Sequence, residues 1–123
     1  MVRFFVCEEC GSLVAKVNEA KPTPVCCGQP MKELKANTVD AAKEKHVPII
    51  EREGNKVHVE VGSTLHPMEE DHWIEIIALV QGDKVQIQTL KPGDEPKADF
   101  LAEEGPVTAY EFCNKHGLWK AEA

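Results

Sequence analysis

The sequence predicts an all-β chain in two parts, a small knuckle held by metal and then an antiparallel sandwich or barrel. Three observations carry this. Four of the five cysteines, Cys7, Cys10, Cys26 and Cys27, lie close together near the N-terminus. From Lys56 onward, apolar residues recur with a period of two. Turn residues punctuate these runs at Glu53-Gly54-Asn55, Gly82-Asp83, Lys91-Pro92-Gly93-Asp94 and Gly105-Pro106. Short strands separated this way indicate a sandwich or barrel.

In chain order, Phe4-Phe5-Val6 reads as a strand entering the Cys7-Glu8-Glu9-Cys10-Gly11 knuckle, and Leu13 to Val17 as a second strand. Lys21-Pro22-Thr23-Pro24 is a loop, and Gln29-Pro30 a turn after Cys26-Cys27-Gly28. Residues 36–48 read as a linker with a helical turn, Asp40 to Lys45, ending before His46-Val47-Pro48. Val57, Val59 and Val61 then alternate with Lys56, His58 and Glu60. Trp73 to Val80 is a fuller apolar run, and Val85, Ile87 and Thr89 alternate with Lys84, Gln86 and Gln88. Lys97 to Leu101 and Val107 to Phe112 complete the set. We place one domain at residues 1–36 and the second at 37–123. The first is too short to fold on a buried core alone, so a metal must stabilise it.

The chain of 123 residues is 42% hydrophobic, enough for one real core. Its formal net charge of −7 argues against nucleic acid or an anionic membrane surface as partner. An anionic substrate would therefore need a local positive patch. No apolar run approaches the roughly 18 residues of a membrane helix, and Met1-Val2-Arg3-Phe4-Phe5 does not open a secretory signal. The chain reads as cytoplasmic, where clustered cysteines bind metals more often than they pair as disulfides.

Cys7-x-x-Cys10 with a following glycine lets one loop present two sulfurs to a metal. The adjacent pair Cys26-Cys27 is unusual. Consecutive side chains diverge, so holding one metal with both should strain the loop and distort a tetrahedron. Spacing leaves zinc and iron equally open, with disulfides a minor alternative. Either metal would be coordinatively saturated, suited to electron transfer or structure.

Five histidines remain to be weighed. His58 alternates with the valines and points to the opposite face, so it is read as non-ligating. His46, His66, His72 and His116 all fall at strand ends or in loops, where ligands are mounted on a β scaffold. Cys113-x-x-His116 alone fits a buried thiol beside an exposed histidine. With four such histidines, Cys113 completes five mixed N and S ligands, one more than structural zinc takes. An octahedral-preferring redox metal with one vacant position suits that set, and iron is the natural candidate.

These segments resemble a known family over almost the whole chain. CEECGSLV and CCGQPM resemble the desulforedoxin domain, and EKHVPI, VGSTLHPM, DHWIEI, LKPGDEPKADF and AYEFCNKHGLWK the neelaredoxin-type domain of the desulfoferrodoxins, two-iron superoxide reductases. Ser12 and Ile76-Ile77 depart from the family pattern without touching a ligand. The resemblance implies a rubredoxin- or desulforedoxin-like knuckle followed by an immunoglobulin-like seven-stranded sandwich. It implies two irons per chain. Cys7, Cys10, Cys26 and Cys27 would hold a distorted tetrahedral one. His46, His66, His72 and His116 would lie equatorially about the second, with Cys113 axial and the sixth position open. His116 would bind through Nδ1 and the other three through Nε2. The implied reaction is one-electron reduction of superoxide to hydrogen peroxide, with electrons from a rubredoxin-like donor, in a homodimer. Lys45 would supply the positive patch, and Glu44 a sixth ligand to the resting ferric state; without the resemblance both read as solvated charges.

Two rival readings stand beside this one. A superoxide dismutase would consume no electron donor. A non-catalytic iron or zinc electron-transfer protein would show no turnover, and a zinc-only form would be colourless.

Overall fold

The computed structural model describes residues 2–38, 43–62 and 66–123, with the backbone alone at Lys43 and Glu44. The chain divides into two compact units, Met1–Lys35 and Ala36–Ala123. Among the described residues it is all-β apart from one helical turn.

In the first unit, β1 (Arg3–Val6) pairs antiparallel with both β2 (Leu13–Lys16) and β5 (Lys32–Glu33). β3 (Val25–Cys26) and β4 (Gln29–Pro30) form a separate minimal hairpin. The amide of Gly11 donates to the carbonyl of Cys7 and that of Cys7 to Ser12, each at 2.8 Å, closing the first knuckle. Gly11 has φ +79°, a conformation glycine adopts without Cβ strain. One small core cluster here is Phe5, Cys7 and Met31, with Cys26 packed against it. So small a cluster leaves much of the stabilisation to the ligand group it surrounds.

In the second unit, α1 (Lys43–His46) precedes β6 (Pro48–Glu53), β7 (Lys56–Val61), β8 (Ile74–Gln81), β9 (Lys84–Thr89), β10 (Lys97–Leu101), β11 (Thr108–Cys113) and β12 (Gly117–Glu122). These seven strands form two antiparallel sheets, β10-β7-β6 and β12-β11-β8-β9. The expected helical turn is corrected at its end: it runs through His46 and does not stop before it. Residues 39–42, where that turn was expected to begin, lie outside the described residues, as do Ser63-Thr64-Leu65.

Alternation explains the core. Val57, Val59 and Val61 of β7 are buried and meet Ile74, Ile77 and Leu79 of β8, Ala98 and Phe100 of β10, and Val107, Ala109 and Cys113. Each such aliphatic side chain contributes about 1.5–3 kcal/mol on burial. Two-residue hairpins at Gly54-Asn55 and Gly82-Asp83 set the β6–β7 and β8–β9 registers, each with its glycine at positive φ.

One irregularity positions the site. β11 pairs Phe112 with Ile76 but Cys113 with Ile74, so Glu75 is an extra residue, a β-bulge. The core-facing residues of β8 therefore run Leu79, Ile77, Ile74, not Leu79, Ile77, Glu75. Without the bulge a carboxylate would point into the apolar core, and the chain before Ile74 would leave β8 in the opposite parity.

Candidate metal centres

In the first unit, Cys7, Cys10, Cys26 and Cys27 bring their sulfurs within 4.8 Å of one another. The vicinal pair converges because Cys27 has φ +54° and is followed by Gly28 at φ +73°. This left-handed step turns the second side chain back beside the first, and it is strained for a residue with a Cβ. Cys10 Sγ lies 3.6 Å from Cys26 Sγ, and Cys26 Sγ 3.9 Å from Cys27 Sγ. These distances exclude disulfides, which need about 2.05 Å. Sulfurs ~2.3 Å from the centre of a tetrahedron stand ~3.8 Å apart, so the group fits one metal. Ser12 Oγ sits 3.1 Å from Cys10 Sγ, and its hydrogen bond draws the Cys10 thiol down to about 6. Hydrogen bonding with Cys10 pushes Cys27 up to about 12. One thiol is thus ready as thiolate, and another waits for a cation to displace its proton. Cys10 and Cys27 are exposed and Cys7 is buried.

In the second unit, one ligand atom from each of His46, His66, His72, Cys113 and His116 falls within the same 4.8 Å limit. Four separate segments supply them: α1, the loop before β8 for both His66 and His72, the end of β11, and the β11–β12 hairpin. The imidazoles form a closed ring of neighbours. Centroids of His46–His66, His66–His72, His72–His116 and His116–His46 lie 4.8, 4.9, 4.9 and 4.7 Å apart. Each ring stands 77–89° to the next.

Nitrogen spacing tests the fit to a metal. His46 Nε2 lies 3.2 Å from His66 Nε2 and 2.9 Å from His116 Nδ1. Four nitrogens in a square ~2.1 Å from a central ion stand ~3.0 Å from their neighbours, whereas a tetrahedron requires ~3.4 Å. The observed pair brackets the square value. His66 Nδ1–H donates to the Pro67 carbonyl at 2.6 Å, which fixes the tautomer and leaves Nε2 with its lone pair facing the cluster. Burial pushes His66 down to about 4, so its ring is neutral. His72 Nε2 is buried with no hydrogen-bond partner among the described residues, as expected of an atom waiting for a metal. Cys113 Sγ lies 4.0 Å from His116 Nδ1. Burial pushes this thiol up to about 11, against the opposing pull of the Lys115 and His116 amides.

The hairpin mounts two of these ligands. Cys113 pairs with Gly117, leaving Asn114-Lys115-His116 as a three-residue loop, and Gly117 sits at φ +82°. Asn114 ties this loop to the one carrying His72: its Oδ1 accepts from the Trp73 amide at 2.9 Å, and its Nδ2 donates to the Asp71 carbonyl at 3.0 Å. Trp119 stacks on His46 and donates Nε1–H to the His116 carbonyl at 3.0 Å. Asn114 and Trp119 were not singled out from the sequence. Their positions inside and just after Cys113-x-x-His116 were the available signal.

His58 lies apart from the cluster. Its Nδ1 donates to Asp99 at 2.6 Å and its Nε2 to Glu60 at 2.9 Å, on the outer face of β7 and β10. Lys45 is half-buried beside His46. The Glu44 side chain, expected as a sixth ligand, lies outside the described residues.

A β-sandwich with a square of imidazoles and one thiolate, joined in sequence to a four-thiolate knuckle, defines a non-haem metalloprotein with two unlike centres. The family model described as desulfoferrodoxin matches residues 38–122, and that of the desulfoferrodoxin N-terminal domain matches residues 2–34. The chain belongs to the desulfoferrodoxin family, and its two ligand groups are those of a two-iron protein. It is 50% identical over 121 residues to a desulfoferrodoxin homolog of Archaeoglobus fulgidus, covering 98% of this chain and 97% of that one. Identity to the desulfoferrodoxin of Nitratidesulfovibrio vulgaris is also 50%, over 119 residues, covering 97% and 94%. The crystal structure of the superoxide reductase from Treponema pallidum superposes with a TM-score of 0.81 at 29% identity, covering 98% and 97%. No helix among the described residues is long and apolar enough to cross a membrane.

Proposed function

We propose that the chain is a superoxide reductase, catalysing one-electron reduction of superoxide, with two protons, to hydrogen peroxide. The observation that carries this reading is the square of four imidazole nitrogens with one buried thiol beside it. His46, His66 and His72 through Nε2, His116 through Nδ1 and Cys113 through Sγ would hold the iron. When bound, that iron supplies the electron and the positive charge that draws superoxide. The Pro67 carbonyl fixes the His66 tautomer, burial keeps the His66 ring neutral, and the core places the Cys113 sulfur in an apolar wall. His72 and His116 are only half-buried, so solvent and its protons reach the cluster from their side.

Lys45, beside His46 in a chain of formal net charge −7, would supply positive charge that guides the anion inward. Lys45→Ile should slow superoxide consumption and flatten its dependence on ionic strength. Glu44 would occupy the sixth position of the resting oxidised centre; Glu44→Ala should then change the oxidised spectrum. Domains at 1–36 and 37–123, a rubredoxin-like donor, a homodimer and a cytoplasmic setting complete the reading. The four-cysteine iron would relay electrons or hold the first domain together.

The deciding measurement is stoichiometry. A reductase consumes one electron from a donor per superoxide and releases peroxide, with no dioxygen from superoxide oxidation. Dioxygen evolution without donor consumption would identify a dismutase instead.

A further inference from the structure

We propose that Trp119 is a positioning residue for the four-histidine centre, holding the His46 ring and the His116 backbone in ligating geometry. The inference rests on reading that cluster as an iron centre. Trp119 lies on β12, opposite Glu111 of β11, and is 1% exposed. Its indole stacks on His46 with centroids 5.1 Å apart and planes 24° from parallel. The same indole donates Nε1–H to the His116 carbonyl at 3.0 Å. One side chain thus grips two ligands that are 70 residues apart in sequence.

The two grips act on different freedoms. An imidazole can rotate about the bond joining it to Cβ, and that torsion is broad and soft. A near-parallel indole face in a close-packed wall restricts it, holding the His46 plane without using either ring nitrogen. The hydrogen bond acts instead on the peptide between His116 and Gly117, at the left-handed step of the hairpin. Fixing that peptide fixes where the His116 side chain leaves the loop, and so which nitrogen faces the cluster. Residues supporting metal ligands in this way typically change metal affinity ~10–100-fold when removed.

Two substitutions separate the grips. Trp119→Phe keeps an aromatic face against His46 and loses the N–H donor. Trp119→Leu loses both. Val57→Ala, at the far end of β7 from Val61, serves as a control for general loss of stability. In iron-loaded full-length protein, the thiolate-to-iron absorption, the ferric electron paramagnetic resonance signal and the rate of iron loss to a chelator would be read, with the four-cysteine iron as internal reference. Trp119→Leu should alter both spectra and weaken iron retention at the histidine centre ~10-fold or more, and Trp119→Phe should fall between it and wild type. Val57→Ala should lower the melting temperature and leave both spectra unchanged. If Trp119→Leu does not fold, Trp119→Phe decides alone. Wild-type spectra and retention in a loaded Trp119→Phe protein would overturn the proposal. Absence of any histidine-bound iron in wild type would instead overturn the functional reading beneath it.

Discussion

Replacing Asn114 by alanine should loosen the histidine centre without touching a ligand. The Asn114 side chain makes two hydrogen bonds, to the Trp73 amide at 2.9 Å and the Asp71 carbonyl at 3.0 Å, and these bracket His72. A third bond, from the Asn114 amide to the Trp73 carbonyl at 3.2 Å, survives the change. Each lost bond is worth about 0.5–1.5 kcal/mol net, and because Asn114 is exposed, water re-pairs the freed groups. The expected loss is thus ~1–2 kcal/mol, or ~5–30-fold in iron retention if the loop's freedom passes wholly to His72. Competition with a chelator, followed at the thiolate-to-iron absorption, measures this directly. Iron at the four cysteines should be unaffected. Asn114→Asp sharpens the test: it keeps the acceptor for Trp73 but turns an oxygen toward the Asp71 carbonyl, so it should be no better than alanine. Retention within about twofold of wild type in both variants would refute the claim that this clamp sets the position of His72.

Glu111 is fully buried between the sheets, and both its oxygens lack partners among the described residues. Burial holds its carboxyl well above the usual range. The unfolded chain releases that proton from about pH 4.3 upward while the folded chain keeps it, so wild type loses stability as pH rises from there toward the raised value, by up to ~1.4 kcal/mol per pH unit. Glu111→Gln lacks this slope. Its melting temperature should gain on wild type between pH 5 and 7, and parallel curves would refute the account. For His58, hydrogen bonds donated to Glu60 and then to Asp99 raise the pKa. Its stabilisation is full below the unfolded value of about 6.5 and disappears as pH rises through the raised folded value. Solvent screening limits it to ~1 kcal/mol or less, and it also fades in acid once the carboxylates protonate. The stability gap between wild type and His58→Gln should therefore be largest near pH 5–6 and shrink above pH 8 in urea titrations.

What the sequence revealed depended on how much chemistry a residue type carries by itself. Cysteine and histidine are scarce here and ligate metals by their nature, so all nine members of the two clusters could be singled out. Strict alternation placed His58 outside them. Strands with mixed faces were harder to read. β6 begins Pro48-Ile49-Ile50 but continues Glu51-Arg52-Glu53 with little burial, and it did not read as a strand. β12 interleaves Leu118 and Trp119 with Gly117 and Lys120 and was missed for the same reason. The bulge at Glu75 leaves no compositional trace, because it depends on the partner strand. Asn114 and Trp119 gain their roles only when β8 and α1 are brought to the hairpin.

That bulge has a consequence for how the chain tolerates change. A pleated strand is read in steps of two, and Glu75 shifts the reading frame just after the segment carrying His72. Deleting Glu75 alone would restore regular pairing and seem conservative. It would keep Ile74 opposite Cys113 on the core face and leave the approach to His72 on its present side, whereas deleting one regularly paired residue of β8 would turn every residue upstream of it to the other side of the sheet. A two-residue deletion nearby would shorten the strand yet keep the frame. Insertions and deletions in the regularly paired part of β8 should therefore be judged by their parity before their size.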